Sequence, residues 1–238
     1  MLKVNEVYKA YGTQEVLKDA SLEIGSEIKV LIGINGCGKS TLLKIIAGII
    51  KSDKGSVLLR EKDITHLAPE ERRVGYVPQH PALFGHKKVI DNIRYGMRSG
   101  LGSEELLGEL ISMLGLEDIL NKRPGELSGG YKSRVSLARS LAPEPEMILL
   151  DEPLSDIDAA VKEKLLPEFR RVTKLMNVPV LYVTHDPVEA GQIGDTFAVM
   201  RDGKVNEIHS ASEAFEMIKK DKLIIFAPMS IQSISIIL

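Results

Sequence analysis

The stretch Gly33-Ile34-Asn35-Gly36-Cys37-Gly38-Lys39-Ser40 constrains this chain more than any other. It fits G-x-x-x-x-G-K-[ST] at every fixed position. An apolar, β-branched run at residues 26–33 (SEIKVLIG) precedes it and reads as a buried strand. Leu42, Leu43, Ile45, Ile46 and Ile49 follow at helical spacing. Strand, glycine loop and helix in this order make a phosphate cradle. The glycines let backbone N–H groups converge on phosphate oxygens, and the helix N-terminus adds a positive dipole end. In such a loop Lys39 reaches the β- and γ-phosphates and the Ser40 hydroxyl ligates Mg²⁺, with Thr41 a further candidate. A chance match in a chain of this length is on the order of one in a hundred. The flanking strand and helix reduce that further, so the chain is expected to bind a nucleotide.

Composition narrows what such a site can serve. The 238 residues are 44% hydrophobic and 27% charged, ordinary for a globular protein with a sizeable core. A net charge of −2 and the lack of a basic run give no nucleic-acid footprint. Cys37 is the only cysteine, which excludes an internal disulfide and fits a reducing compartment. The N-terminal residues 1–12 have no apolar core of signal-peptide length, and no uninterrupted apolar run reaches the ~20 residues of a spanning helix. The apolar tail at residues 223–238 is broken by Pro228 and polar residues and is expected to be a buried or partner-covered strand.

The rest of the chain reads as an open, largely parallel α/β sheet. Residues 73–79, 146–152 and 178–185 are short apolar strands, with a helix over 159–176. Residues 55–64 read as a hairpin despite the poor turn pair Arg60-Glu61, and residues 196–209 as a hairpin turning on Asp202-Gly203. From 85 to 142 the pattern is helical, with Gly100, Gly102, Gly115 and Pro124 as breaks. The expected division is an α/β core at 1–84 and 143–220, a helical insert at 85–142, and a tail at 221–238. Ligands on such sheets sit beyond the carboxyl ends of the strands.

Other candidates lie at those strand ends. Asp151 ends the run Met147-Ile148-Leu149-Leu150 and can hold Mg²⁺, while Glu152 is placed to polarise an attacking water. The competing reading is an acidic helix start, worth about 0.3–1 kcal/mol; the phosphate loop in the same chain favours catalysis. Gln79 either contacts Mg²⁺ or its water, or is simply solvated. His185 either donates to a γ-phosphate or is structural. Tyr11 either stacks on an adenine or packs in a core. Ser128, Gly129 and Gly130 open another helix, with Val135, Ala138, Leu141 and Ala142 as its apolar stripe and Pro143 as its stop. They form either a second anion cradle or an ordinary serine N-cap.

Together these pieces resemble the ATP-binding subunit of ABC transporters over roughly residues 2–220, in that family's order. The resemblance implies a P-loop NTPase fold, RecA-like, with N-terminal antiparallel strands and an inserted helical subdomain. It makes Tyr11 the adenine-stacking aromatic and Gly33 to Thr41 the Walker A loop, with nucleotide contacts at Gly33, Asn35, Gly36, Cys37, Gly38, Lys39, Ser40 and Thr41. Gln79 becomes the Q-loop, Leu127-Ser128-Gly129-Gly130 the signature, Met147 to Asp151 Walker B, Glu152 the catalytic glutamate and His185 the switch histidine. Ser155 to Asp158 becomes the D-loop, with Asp158 a further contact. It implies ATP and Mg²⁺ as cofactors, with metal contacts from Ser40, Gln79 and Asp151, and two copies packed head to tail. The signature of one copy then serves the ATP of the other.

The same resemblance implies integral membrane permease subunits, indirectly a solute-binding receptor, and a cytoplasmic place on the inner face of the cell membrane. Residues 63–98 and 149–161 look most like the branch importing molybdate, tungstate or sulfate; polyamine, iron and sugar importers share much of the pattern. Many relatives carry an extra C-terminal regulatory domain, for which this chain is too short. Two residues depart from the family pattern: Tyr131 stands where Gln is usual, and Gly85 where related importers have Pro. A soluble ABC ATPase acting in assembly and a P-loop kinase are the competing classes. The signature segment has no task in a kinase.

Overall fold

The computed structural model describes residues 1–225. In chain order the elements are β1 (Leu2–Tyr11), β2 (Gln14–Ile24), β3 (Ile28–Ile32), α1 (Lys39–Ile46), β4 (Lys54–Leu59), β5 (Lys62–Asp63), β6 (Val74–Val77), α2 (Val89–Ile93), α3 (Glu104–Met113), α4 (Gly129–Leu141), β7 (Met147–Asp151), α5 (Ala159–Leu175), β8 (Val180–Thr184), α6 (Pro187–Ile193), β9 (Thr196–Arg201), β10 (Lys204–Ile208) and α7 (Ala211–Ile225). Among these residues the strands form two sheets, ordered β2-β1-β4-β5 and β10-β9-β3-β8-β7-β6. The first is antiparallel. The second is parallel from β9 to β6, with β10 antiparallel at its edge. The N-terminal antiparallel sheet and the mostly parallel second sheet are the arrangement that the resemblance implies.

Every residue of β3, β7 and β8 is buried, which is why these strands read as continuous apolar runs rather than alternating ones. The pleat sends alternate residues to two cores. Leu31, Leu149, Leu181 and Val183 join Leu42, Leu43, Ile45 and Ile46 of α1 and the inner face of the antiparallel sheet. Val30, Ile32, Ile148, Leu150, Val180 and Tyr182 face the helices of the opposite layer. Helix α1 is thus held between the two sheets. Arg72 fixes its far end: the buried guanidinium donates to Ile45 O (2.8 Å) and Ile46 O (3.0 Å), and also to Leu67 O and Thr65 O.

All of residues 85–142 are described, and they hold helices and turns but no strand. The buried Asn92 pins the loop before α2, accepting from Phe84 N (2.7 Å) and donating to Lys88 O (3.0 Å). Val135, Ala138, Leu141 and Ala142 are buried as their spacing requires. Arg60 and Glu61 do form the two-residue turn of the β4–β5 hairpin, both with positive φ (50° and 66°), as the twist of paired strands demands.

Two expectations fail. Ile49 does not belong to the α1 stripe: the helix ends at Ile46, and Ile49 is 52% exposed. The tail does not begin as a strand, because α7 runs through Leu223 to Ile225; the remainder of that expected strand, 226–238, lies outside the described residues. Among the described residues no helix is long and apolar enough to cross a membrane.

Candidate active site

Three loops leave the carboxyl ends of the adjacent interior strands β3, β8 and β7, all at the same end of the parallel sheet. The first runs from Gly33 to Gly38 and opens α1. Gly38 caps the helix with φ 110°, and a Cβ there would stand 2.9 Å from Leu17 Cδ2. A Cβ on Gly33 would meet Cys37 Sγ at 2.7 Å and Met200 O at 2.8 Å. The bare backbone therefore lies close against β2 and β9. No side chain caps the α1 N-terminus and no acid sits in its first turn, so its N–H groups remain available to an anion. The Cys37 thiol is pushed up in pKa by burial, an effect that nearby Lys39 does not offset, so it is held as a thiol.

Lys39 is 5% exposed, and its Nζ donates to Gly33 O (2.9 Å) and Ile34 O (3.1 Å). The same ammonium lies 3.6 Å from Glu152 Oε1. Ser40 Oγ donates to Asp151 Oδ1 (2.9 Å), and the Tyr76 hydroxyl donates to Asp151 Oδ2 (3.1 Å). Asp151 is buried and forms no ion pair among the described residues. Burial pushes its carboxyl up from the ordinary carboxylate value, and the two hydroxyls only partly reverse that. The Tyr76 hydroxyl is pushed well up in turn, by burial and by Asp151. A buried carboxylate satisfied by neutral donors beside an alcohol oxygen is a hard oxygen set. It fits Mg²⁺, which takes one or two protein oxygens and keeps water and phosphate for the rest. Among the described residues there is no group of three or more His, Cys, Asp or Glu that could hold a metal ion by themselves.

Glu152 follows β7 with φ 48°, a left-handed conformation that costs a non-glycine residue about 1–2 kcal/mol. The kink takes its side chain out of the strand pattern and into the cleft. There Glu152 Oε2 lies 2.8 Å from His185 Nδ1. The cleft holds about 430 Å³ and is lined by Val16, Asn35, Gly36, Gly38, Lys39, Ser40, Thr41, Gln79 and Glu152. Asn35 and Gly36 also line a second hollow behind the loop, against the β9–β10 turn and α7.

The remaining candidates sit apart from this cleft. Tyr11, at the end of β1, is 48% exposed with Lys9 Nζ 5.6 Å from its ring centroid, so it is not a core aromatic. Asp158 is exposed at the start of α5 and caps nothing with its side chain. Ser128 accepts from Tyr131 N (3.5 Å) and so is an N-cap of α4; neither it nor Gly129 nor Gly130 lines the cleft. A Cβ on Gly129 or Gly130 would come no nearer than 3.8 Å and 3.4 Å to the described residues, and neither has positive φ. Packing within the chain therefore does not explain these glycines. Tyr131 is half-buried under the Arg134 guanidinium (5.6 Å), and Gly85 faces open space.

Sequence reasoning missed Tyr76 and Val16. A tyrosine in a buried strand needs a partner for its hydroxyl, which was the available signal. It also missed the contact of His80 Nδ1 with Asp156 Oδ2 (2.8 Å), which joins the residue after Gln79 to the 155–158 turn.

Comparison with known proteins follows the same lines. The family model described as ABC transporter matches residues 17–155. The chain is 43% identical over 199 residues to the molybdate/tungstate import ATP-binding protein WtpC of Archaeoglobus fulgidus, covering 83% of each. It is 39% identical over 224 residues to the sulfate/thiosulfate import ATP-binding protein CysA of Methylococcus capsulatus. That match covers 90% of this chain and 64% of the relative, so the chain spans just under two thirds of that protein's length. The dimeric MJ0796 bacterial ABC transporter cassette superposes with a TM-score of 0.78 at 30% identity, over 89% of this chain and 99% of that one.

Proposed function

The chain belongs to the ABC transporter family, and from that premise we propose that it binds ATP and hydrolyses it in the cleft beyond β3, β7 and β8. The observation that carries this reading is the convergence of Lys39, Ser40, Asp151, Glu152 and His185, from three strand ends, into one set of close contacts. The phosphates lie on the amides of the 33–41 loop, where Lys39 exchanges the Gly33 and Ile34 carbonyls for phosphate oxygens. Tyr11 offers its exposed ring to the adenine. Ser40, Asp151 and Gln79 would hold Mg²⁺, which would supply neutralisation of the phosphate charge. Glu152 polarises the attacking water. The water oxygen bonds to the γ-phosphorus, the bond to the bridging oxygen breaks, and the water's proton passes to Glu152. ADP and inorganic phosphate leave. His185 anchors Glu152 through Nδ1 and presents its ring to the γ-phosphate.

The unexplained glycines after Ser128 support a second role. A helix that begins Gly129-Gly130 gives up about 0.5–1 kcal/mol per glycine relative to alanine. A close-approaching phosphate is a reason to accept that. Ser128, Gly129 and Gly130 then contact the nucleotide held by a second copy, with Asp158 at the same junction, and ATP closes the head-to-tail dimer. The helical segment 85–142 carries this cradle, and the loop pinned by Asn92 meets the membrane permease. The chain would work as the peripheral, cytoplasmic ATPase of an importer, fed indirectly by a solute-binding receptor. The names of the similar proteins point to an oxyanion, molybdate, tungstate or sulfate, as cargo.

Affinity capture of the tagged protein from gently solubilised native membranes tests this. A co-purifying multi-span permease is the expected result, and its receptor can then be screened against the three oxyanions. Capture of a soluble partner without any membrane protein would overturn the importer reading and leave the ATP chemistry intact.

A further inference from the structure

Glu189 of α6 is 2% exposed, and the hydrolytic scheme makes no use of it. The fully buried Tyr182 hydroxyl donates to its Oε1. Thr184 Oγ1 donates to Oε2 (3.1 Å), and Lys162 Nζ reaches the same oxygen (3.3 Å). Lys162 Nζ also lies 3.4 Å from Asp186 Oδ2. Thr184 Oγ1 in turn accepts from Asp186 N (3.0 Å), and Asp186 Oδ1 accepts from the amides of Val188 (2.9 Å) and Glu189 (3.2 Å). Burial pushes the Asp186 carboxyl up, but these amides and Lys162 outweigh it and hold the group below the usual carboxylate range. The residues on both sides of His185 are therefore bound into one network, with Glu189 at its buried centre.

Such a network is a poor way to gain stability. Burying a carboxylate costs several kcal/mol, and an apolar residue of similar volume would pack this site at least as well. What the network fixes is geometry. Its outer end is also informative: Lys162 N donates to Asp158 O (2.9 Å), so its backbone is tied to the 155–158 turn while its side chain reaches Glu189. We propose that Glu189 and Lys162 are positioning residues: they set His185 against Glu152 and link that contact to the turn opening α5. Movement of that turn thereby reaches His185 through Lys162. The inference rests on the ATPase reading of Glu152 and His185 given above.

The test compares Glu189→Gln with wild type, alone and in a His185→Ala background. The amide keeps the volume of the acid. It turns one acceptor into a donor, so the Thr184 hydroxyl loses the acceptor that orients it and Lys162 loses one of its two charge partners, keeping Asp186. The expected result is a kcat lower by about tenfold or more, as a small misplacement of a reacting group gives. KM for ATP should stay within about twofold, since the phosphate loop is untouched. The loss should nearly vanish in the His185→Ala background, because both changes act through the same ring. In the nucleotide-free protein, the His185 ring resonances should shift while those of His66, His86 and His209 stay in place.

The same fold-loss of residual activity with His185 already removed would overturn the proposal. So would wild-type kcat with unmoved His185 resonances, while Glu152→Gln is inactive; the ATPase reading then stands and only the positioning role falls. If wild type itself turned over no ATP, the resonance comparison would still decide. Should Glu189→Gln not fold, Lys162→Met at the partly open end of the network carries the same comparisons.

Discussion

Glu152 Oε2 lies 2.8 Å from His185 Nδ1, while its Oε1 lies 3.6 Å from Lys39 Nζ. One carboxylate is thus held at both ends, by an imidazole from the end of β8 and an ammonium from the start of α1. A carboxylate has only lone pairs to offer, so Nδ1 carries the proton in that contact and Nε2 is left free. The side chain is oriented before a substrate arrives, which is the preorganisation that electrostatic catalysis needs. The left-handed backbone at Glu152 is what turns it there.

Asp151 makes the opposite trade, function against stability. Its folded-state pKa is raised by burial, so the folded protein takes up a proton at this site before the unfolded chain does. The ionised carboxylate therefore detracts from stability above that raised pKa, and the penalty fades as pH falls through it. Asp151→Asn is expected to leave the nucleotide-free Tm at pH 7 equal to or above wild type. The difference should shrink at acid pH, and the extra stabilisation that Mg²⁺ gives in the presence of ATP should disappear. Thermal unfolding at both pH values, with and without Mg-ATP, reads all three. A Tm well below wild type at neutral pH would contradict the assignment.

Gly130→Ala separates an internal from an external reason for the glycine. The added methyl meets Val161 Cγ1 at 3.4 Å, an ordinary contact. Alanine in the first turn of α4 should raise stability by about 0.5–1 kcal/mol. ATP turnover should nevertheless fall, because in the proposed head-to-tail dimer the bare backbone of this turn lies against the nucleotide of a second copy. Urea unfolding and phosphate release on the same preparation check both signs. A destabilised protein would place the need for glycine inside the chain.

Arg72→Met removes the donors that close the far end of α1. Four backbone carbonyls lose a charged partner in a site that is 5% exposed. Charge-assisted hydrogen bonds are worth about 1.5–3 kcal/mol, and an orphaned buried carbonyl adds to the loss. The expected destabilisation is about 3 kcal/mol by chemical denaturation. A change below about 1 kcal/mol would show that water replaces the guanidinium freely.

Much of the site was legible because its signals are local. The β3 run, the glycine loop and the α1 stripe lie within about twenty residues, and each step follows from backbone sterics and hydrophobic periodicity. Asp151-Glu152 is legible as a strand end, and Asp202-Gly203 as a hairpin turn. What local patterns do not carry is pairing across the sheet. Tyr76 meets Asp151 75 residues away, and His80 meets Asp156 76 residues away, because β6 and β7 are neighbours only in the folded sheet. Arg60-Glu61 turns against its own preference because the β4–β5 pairing demands it. Ile49 fits the helical stripe by spacing, yet the helix has already ended in a C-cap at Ala47.

Release of inorganic phosphate from Mg-ATP by wild type and by Glu152→Gln tests the central claim most directly. The variant keeps Lys39, Ser40 and Asp151 in place but removes the proposed base. It is expected to bind ATP with near wild-type affinity and to lose turnover by about 10²–10⁴-fold, accumulating as an ATP-dependent dimer on size exclusion. Turnover by the variant at the wild-type rate would contradict the assignment of Glu152 and, with it, the role given to the cleft.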